Sequence, residues 1–217
     1  MIDDIRLSSY ICSLNDIDKY KSDFLSGVEK KALEQGVPII RTETQMLIRF
    51  LLKLVKPESI LEVGTAIGFS SLFMWEVMEK NVSVTTIENY DIRISEARDN
   101  FEKAGALDSI RLIEGDAADK LKELNGGYPF IFMDAAKAQY INYLPDIDRL
   151  LLPGGILLTD NVLRDGDILE SRYAVTRRNR TIHERVREYM YELTHSDKYE
   201  TVILNNGDGV TITYKTY

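Results

Sequence analysis

From about residue 57 onward, the chain alternates short apolar runs with longer segments in which apolar residues recur every three or four positions. The short runs predict β-strands, and the longer segments predict helices with one buried face. The predicted strands are 59–63, 82–87, 109–113, 129–133 and 155–159, and the predicted helices between them are 68–79, 90–104, 117–124 and 138–152. Apolar strands that alternate with helices are typical of an α/β fold with a mostly parallel sheet between two helical layers.

The N-terminal part of the chain predicts helices only. Residues 2–35 read as helix with a break near Ser13 to Asp16. Asn15 or Asp16 is a suitable N-cap for the second segment, and Gly36 is a suitable stop.

Another helix is predicted from Thr42 to about Val55, because Thr42 and Gln45 form a capping-box pattern. Its apolar positions recur at helical spacing and are Met46, Leu47, Phe50, Leu51 and Leu54.

The C-terminal part changes character again. A polar helix at about 174–195 precedes two strands, 199–204 and 210–215, and the residues NNGDG between them are typical of a hairpin turn. We expect one domain with a helical cap (1–56), which covers the binding edge or a subunit interface, and a core (57–217) that includes a substrate-covering insertion (162–195).

Composition is ordinary for a soluble globular protein, with 44% hydrophobic and 29% charged residues among 217. The single Cys12 excludes an internal disulfide and predicts a reducing cytoplasm. No apolar run reaches the ~20 residues that span a bilayer, and the first residues lack the features of a signal peptide. We therefore expect a cytoplasmic protein that does not enter a membrane.

The segment SILEVGTAIGFS, residues 59–70, predicts a strand, a tight turn and the start of a helix. Gly64 and Gly68 would let the backbone approach a ligand closely, and the helix N-terminus offers free N–H groups. The spacing E-x-G-x-x-x-G does not fit the dinucleotide pattern G-x-G-x-x-G, which speaks against a nicotinamide oxidoreductase. Glu88 ends the next strand and is placed to bind a ribose. The alternative is a turn that only packs a helix on a strand.

Polar side chains follow four of the predicted strands: Glu88, Asp116, Asp134, and Asp160 with Asn161. The carboxyl ends of parallel strands meet at one edge of the sheet, so these groups should converge there. Asp134, Asp160 and Asn161 offer only oxygen ligands, which favours a hard cation, magnesium before calcium or manganese. Alternatively, Asp160 and Asn161 only cap the segment that follows.

Five segments, ILEVGTAIGFS, TIE, EGDA, MDAAKAQY and TDNVL, together resemble the cation-dependent class I O-methyltransferases of the catechol and caffeoyl-coenzyme A type. The resemblance implies a Rossmann-like sheet of seven strands with an antiparallel C-terminal hairpin, and a homodimer. It implies that an S-adenosylmethionine site is lined by Ile40, Gly64, Ser70, Glu88, Asp116, Ala117 and Asp134, with Glu88 on the ribose and Asp116 and Ala117 on the adenine. It further implies Mg²⁺ or Mn²⁺ on Asp134, Asp160 and Asn161, with Lys137 as the general base.

Residues 164–187 carry seven arginines and four acidic residues, although the chain as a whole has a net charge of −8. A local basic patch suits phosphates, so we expect RNA contacts from Arg164, Arg172, Arg177, Arg178 and Arg180. The alternative is a solvated helix with internal ion pairs. The sequences RRNR and NNGDGVTIT resemble bacterial tRNA 5-hydroxyuridine methyltransferases. That resemblance implies methylation of 5-hydroxyuridine at the wobble position (U34) of the tRNA anticodon loop; the alternative acceptor is a small catechol-like molecule.

Aromatic and imidazole side chains near these motifs have ordinary explanations as well. Tyr140, Tyr143 and Tyr173 are candidates to stack on the acceptor ring, although tyrosines also pack in cores. His183 and His195 have no partner at metal-ligand spacing and are expected at the surface.

Overall fold

The computed structural model describes residues 4–163, 168–171 and 173–217. Within these residues, one sheet contains seven strands: β1 (Ser59–Val63), β2 (Ser83–Glu88), β3 (Ile110–Glu114), β4 (Tyr128–Met133), β5 (Leu151–Thr159), β6 (Tyr199–Leu204) and β7 (Val210–Lys215). Their order is β3-β2-β1-β4-β5-β7-β6. The first five strands pair in parallel, whereas β7 pairs antiparallel with both β5 and β6. The predicted sheet, with its antiparallel C-terminal pair, is confirmed.

Eight α-helices lie within the described residues: α1 (Asp4–Asn15), α2 (Asp23–Glu34), α3 (Thr42–Val55), α4 (Phe69–Val77), α5 (Asp91–Ala104), α6 (Ala117–Glu123), α7 (Tyr140–Leu150) and α8 (Arg180–His195). The side chains of β4 alternate between the two faces of the sheet. Phe130 and Phe132 pack with α2 to α5, and Ile131 and Met133 pack with α6 to α8. This alternation explains why the strand is apolar throughout. No described helix is long and apolar enough to cross a membrane; a cytoplasmic location stays a prediction.

Three local details differ from the sequence-based expectations. The N-cap of α2 is Ser22, whose hydroxyl accepts a bond from the Leu25 amide at 3.1 Å, so neither Asn15 nor Asp16 caps this helix. Helix α3 begins where expected, but the capping box is wrong because the Gln45 amide donates to the Ile40 carbonyl at 3.1 Å. Strand β5 begins at Leu151, earlier than expected, because a β-bulge absorbs the two glycines of LLPGG.

Helix α8 begins at Arg180 rather than near residue 174, and a short 3₁₀ helix, Arg177–Asn179, precedes it.

Helices α1 and α3 leave several large apolar side chains in solvent. The predicted apolar face of α3 is only partly buried, because Leu51 lies in the core while Phe50 is 64% exposed and Leu54 is 70% exposed. The exposed apolar residues of α1 are Leu7, Tyr10, Ile11 and Leu14. We call these six exposed residues the apolar face of α1 and α3.

The turn after β1 requires glycine at two positions. Gly64 has φ +101°, and a Cβ there would lie 2.0 Å from the Asp134 carbonyl oxygen. Gly68 has φ +80°, and a Cβ there would lie 2.4 Å from the ring of Phe101. Other residues resist such backbone angles. The first glycine therefore lets the end of β1 approach the end of β4, which brings Asp134 beside the turn.

Candidate active site

Glu88 is fixed at the end of β2 by three backbone N–H groups. The Ala66 amide donates to its Oε2 atom at 2.8 Å, and the Asn89 and Tyr90 amides donate to Oε1 at 2.9 and 3.1 Å. Ala66 has φ +46°, in the left-handed region that alanine rarely adopts. The turn after β1 therefore donates a backbone hydrogen bond to the Glu88 carboxylate on the neighbouring strand, and this bond helps to orient that carboxylate.

Two adjoining cavities lie on either side of this turn. The Glu88 cavity is lined by Gly64, Glu88, Ala117 and Asp134 of the predicted methyl-donor residues, together with Tyr143. The Ser70 cavity is lined by the predicted residues Ile40, Gly64, Ser70 and Asp134. The structure therefore brings six of the seven predicted donor residues to adjoining spaces.

Asp116 does not line either cavity. Its carboxylate accepts a bond from the Ala118 amide at 2.8 Å and caps helix α6. An adenine contact from Asp116 stays a prediction.

Glu62 lies buried beneath the same turn. The Thr86 hydroxyl donates to its Oε2 atom at 2.6 Å, and the Ser71 hydroxyl bonds the same oxygen. Burial raises the pKa of Glu62 to about 7, although hydrogen bonds from Ser70, Ser71 and Thr86 oppose the rise. Glu62 therefore connects β1, β2 and the first turn of α4 through one carboxyl group.

The three predicted metal ligands lie at the ends of β4 and β5. The Asn161 side-chain amide donates to Asp134 Oδ1 at 3.1 Å, and the Asn161 backbone amide donates to Asp160 Oδ1 at 2.7 Å. Asn161 has φ +63°, in a region that asparagine tolerates better than most residues. The buried Tyr140 hydroxyl donates to the Asp160 carbonyl at 3.2 Å and holds that backbone in place.

The electrostatics of this group suit a cation. Burial raises the pKa of Asp134, while the Asn161 hydrogen bond and the charge of Lys137 lower it. Burial and then the charge of Asp134 raise the pKa of Asp160 to about 7. Asp160 is buried and Asp134 is partly buried. Water therefore screens the repulsion between the two carboxylates poorly, and a bound cation would relieve it.

The ligand set is small. Residues 4–163, 168–171 and 173–217 contain no group of three His, Cys, Asp or Glu residues that could hold a metal ion. The candidate set is two carboxylates and one amide, an all-oxygen set that fits Mg²⁺ or Mn²⁺ with water in the remaining positions.

Lys137 begins a 3₁₀ helix, Lys137–Gln139, that follows Asp134 closely. It lines a cavity of about 380 Å³ that also contains Asp134, Asp160 and Asn161. We call this space the carboxylate cavity. Arg185 Nη1 of α8 supports this short helix by donating to the Ala138 carbonyl at 3.1 Å, a contact that no sequence motif indicated.

Three further polar residues line the carboxylate cavity and were missed as site residues: Arg41, Thr44 and Asp208. The Thr44 hydroxyl bonds the Asp160 carboxylate and lowers its pKa. Arg41 Nη2 lies 3.0 Å from Asp208 Oδ2. In the sequence, the only signal for Asp208 was its place in the turn-forming NNGDG, which indicated a hairpin and nothing more.

The β6–β7 turn, residues 205–209, is attached to the strand end that carries the candidate metal ligands. The Val162 amide donates to the Gly209 carbonyl at 2.9 Å, and the Leu163 amide donates to the Asp208 carbonyl at 2.8 Å. The turn is therefore fixed directly behind Asn161.

The predicted RNA-binding arginines have different environments. Arg177 and Arg178 are exposed on the 3₁₀ helix before α8. Arg180 is partly buried, and its Nε donates to the Val175 carbonyl at 3.4 Å. Arg164 and Arg172 lie outside the described residues.

Two expectations about aromatic and imidazole groups are wrong. Tyr140 is fully buried against Tyr189, with ring centroids 5.6 Å apart, so it is not available to stack on an acceptor. His183 is also buried, with Nε2 3.0 Å from the Glu170 carbonyl, rather than at the surface. Tyr173 is 85% exposed.

Residues 16–216 match the family model described as O-methyltransferase. A catechol O-methyltransferase from Niastella koreensis is 32% identical over 72% of this chain and 74% of its own length. Caffeoyl-CoA O-methyltransferase 5 from Nicotiana tabacum is 31% identical over 76% of this chain and 72% of its own length.

Solved structures agree with these matches. The crystal structure of a proposed caffeoyl-CoA O-methyltransferase from Staphylococcus aureus has a TM-score of 0.87 and 31% identity over 96% of this chain and 98% of the other. The SAH-bound Podospora anserina methyltransferase PaMTH1 has a TM-score of 0.81 and 26% identity over 98% of this chain and 94% of the other. The chain therefore belongs to the O-methyltransferase family and is an S-adenosylmethionine-dependent O-methyltransferase of the catechol and caffeoyl-CoA type.

Proposed function

We propose that this enzyme is cation-dependent and methylates one hydroxyl of a small acceptor with two adjacent oxygens, as catechol has. One observation carries the proposal: Asp134 lines the Glu88 cavity, the Ser70 cavity and the carboxylate cavity. A donor in the first two spaces and an acceptor in the third would meet at Asp134. The names of the relatives, catechol and caffeoyl-CoA O-methyltransferases, favour this acceptor over the tRNA predicted from the arginine-rich segment.

The residues of the chain would divide the reaction between them. Asp134, Asp160 and Asn161 would hold Mg²⁺ or Mn²⁺, which when bound lowers the pKa of a coordinated hydroxyl and fixes its direction. Lys137 Nζ would accept the hydroxyl proton. The acceptor oxygen then bonds the methyl carbon, and the electrons of the broken C–S bond remain on sulfur. Because the sulfonium methyl is already activated, most of the catalysis is positioning.

The donor residues would hold S-adenosylmethionine in the remaining space. We assign the ribose hydroxyls to Glu88 and the adenine to Asp116 and Ala117, and we place Ile40, Gly64 and Ser70 along the rest of the donor.

The direct test incubates the protein with labelled S-adenosylmethionine and Mg²⁺, with and without EDTA, and offers catechol, caffeoyl-CoA or unmodified tRNA in separate reactions. We expect labelled catechol or caffeoyl-CoA and loss of transfer with EDTA. Mn²⁺ binding, measured by calorimetry, should be lost in Asp160→Asn and kept in Asp197→Asn, which alters an exposed aspartate elsewhere. Methyl transfer that continues at the same rate after exhaustive chelation would overturn the proposed cation dependence.

A tRNA acceptor is the second candidate, and the exposure of Arg177 and Arg178 supports it. A 5-hydroxyuridine at position 34 also presents two adjacent oxygens, and a single-stranded loop base can be turned into a pocket. This candidate predicts binding that weakens steeply with salt and collapses when both arginines are changed to glutamate. If the enzyme does not methylate tRNA and the charge-reversed variant methylates catechol at the wild-type rate, tRNA is excluded and the small-molecule acceptor remains.

We also propose that the enzyme is a homodimer through the apolar face of α1 and α3. Six large apolar side chains are exposed on α1 and α3, which contact each other, and a large exposed apolar surface is typical of a protein–protein interface. Light scattering should show a dimer for the wild type and a monomer for Phe50→Glu with Leu54→Glu. Leu107→Glu, at a site 56% exposed beside β3, is the control and should leave the mass unchanged.

A further inference from the structure

The carboxylate cavity has a charged wall that the proposed reaction does not use. Arg41 precedes α3 and Asp208 lies in the β6–β7 turn, and their side chains meet at 3.0 Å across the cavity lining. The methylene part of Arg41 packs beside Gly207, where a Cβ would lie 3.4 Å from Arg41 Cδ. The β6–β7 turn therefore lies beside the Cδ atom of Arg41 and also supplies the partner of its guanidinium.

The two partners differ in exposure. The Arg41 side chain is 56% exposed and that of Asp208 is 17% exposed, so the guanidinium lies at the mouth of the cavity and the carboxylate lies deeper. An ion pair with one solvated partner contributes little to stability. Replacing the Asp208 carboxylate with another anion as the partner of Arg41 therefore costs little free energy. The guanidinium presents five N–H donors in a planar fork, and a single contact to Asp208 leaves room for another oxyanion.

The charges of the cavity lining limit what else could bind an anion there. Among the described lining residues, the cations are Arg41 and Lys137, and the anions are Asp134, Asp160 and Asp208. Lys137 is assigned to the proton of the acceptor hydroxyl. Arg41 is then the remaining fixed positive side chain of this lining that could meet a second charged group on the acceptor.

We propose that Arg41 binds an oxyanion, a carboxylate or a phosphate, that the acceptor carries near its reacting hydroxyl, and that Asp208 holds the empty Arg41 ready for it. This assignment rests on the proposed methyl transfer and adds a substrate class to it. Arg41 is a specificity-determining residue in this account, and it takes no part in the proton or methyl transfer.

The experiment compares two matched acceptor pairs, each with and without an oxyanion. Catechol against 3,4-dihydroxybenzoate tests a carboxylate, and 5-hydroxyuridine against its 5′-monophosphate tests a phosphate. We expect the wild type to prefer the anionic member of at least one pair. Arg41→Gln should lower that preference about tenfold, mainly through KM, and Arg41→Lys should restore part of it. The control is Arg111→Gln, an exposed arginine on β3, which should keep the wild-type preference.

The outcomes separate this assignment from the proposed function. A wild-type enzyme that methylates none of the four acceptors, and not caffeoyl-CoA either, overturns the proposed function and the assignment together; methylation of caffeoyl-CoA alone overturns the assignment and leaves the proposed function standing. If Arg41→Gln instead loses equal activity toward the charged and the neutral member of a pair that the wild type methylates, that result overturns the role of Arg41 alone. A fall in kcat with unchanged KM would also overturn it, because it would show that Arg41 only supports the fold of the site.

Discussion

The side-chain amide of Asn161 donates to Asp134 Oδ1 at 3.1 Å, although 27 residues separate them in the chain. Met133 lies opposite Thr159 in the parallel pair of β4 and β5, so Asp134 and Asp160 follow at equivalent places and Asn161 comes one residue later. The contact joins two of the three proposed metal ligands directly, and the third, Asp160, lines the same cavity.

Asn161→Ala should weaken Mn²⁺ binding at least about tenfold, since even groups that only support a metal ligand typically cost ten- to a hundredfold. Calorimetry with Mn²⁺ measures this without an acceptor. The matched control is Asn125→Ala, at an exposed asparagine after α6. Equal affinity in Asn161→Ala and the wild type would remove Asn161 from the ligand set.

Lys137→Ala should lower kcat by at least about 100-fold, the usual contribution of a positioned general base, while S-adenosylhomocysteine still binds. The donor cavities do not include Lys137, so donor affinity is the internal control. Near-normal turnover in the variant would exclude Lys137 from the mechanism.

Arg185→Ala should lower kcat more than it changes KM, because Arg185 supports the short helix that carries Lys137 through the Ala138 carbonyl. Arg185→Lys should recover part of the loss. Arg149→Ala is the control, since Arg149 also bonds carbonyls, those of Leu121 and Leu124, but on helix α6 away from Lys137. A similar fall in kcat for both alanine variants would mean that general destabilisation is the cause.

Gly64→Ala should destabilise the fold by about 3 kcal/mol or more and abolish donor binding, because its Cβ would lie 2.0 Å from the Asp134 carbonyl oxygen. Gly36→Ala is the matched control. Gly36 also has positive φ, +64°, but a Cβ there meets nothing within 4 Å, so only a backbone cost of about 1 kcal/mol is expected. Urea unfolding and a thermal shift with S-adenosylhomocysteine measure both effects, and equal losses in the two variants would argue against the clash.

Stability should fall as pH rises through the titration of Glu62. Its pKa rises from 4.5 to about 7 on folding, so the native state holds the proton longer than the unfolded state. The contribution is favourable below about pH 4.5 and is lost as pH rises toward 7, by roughly 3 kcal/mol in total. Glu62→Gln should therefore gain stability relative to the wild type between pH 5 and pH 8. Glu58→Gln, at an exposed residue before β1, should show no such difference in urea unfolding.

Periodicity and spacing predicted the sheet and the edge where the site lies. The ends of β2, β4 and β5 could be located because each apolar run stops at a polar residue, as β4 does before Asp134. The N-cap at Ser22 was missed because several residues near it, including Asp16, have equal local preference and only packing decides between them.

The wall of the carboxylate cavity could not be predicted. Arg41 and Asp208 are 167 residues apart, and no local pattern links a residue before a helix to a hairpin turn. The burial of Tyr140 likewise depends on α8, which packs against α7 and places Tyr189 beside the Tyr140 ring.

Asp208 of the β6–β7 turn lines the carboxylate cavity, and no residue of that turn lines the Glu88 cavity or the Ser70 cavity. If donor and acceptor bind as proposed, a substitution of Asp208 would alter which molecules are modified without disturbing how the methyl group is supplied. Gly209 is constrained, because a Cβ there would lie 2.2 Å from Leu163 Cγ, whereas the side chain of Asp208 faces the cavity. Variation at that one turn position offers a physical route by which enzymes with a common donor chemistry diverge onto different substrates.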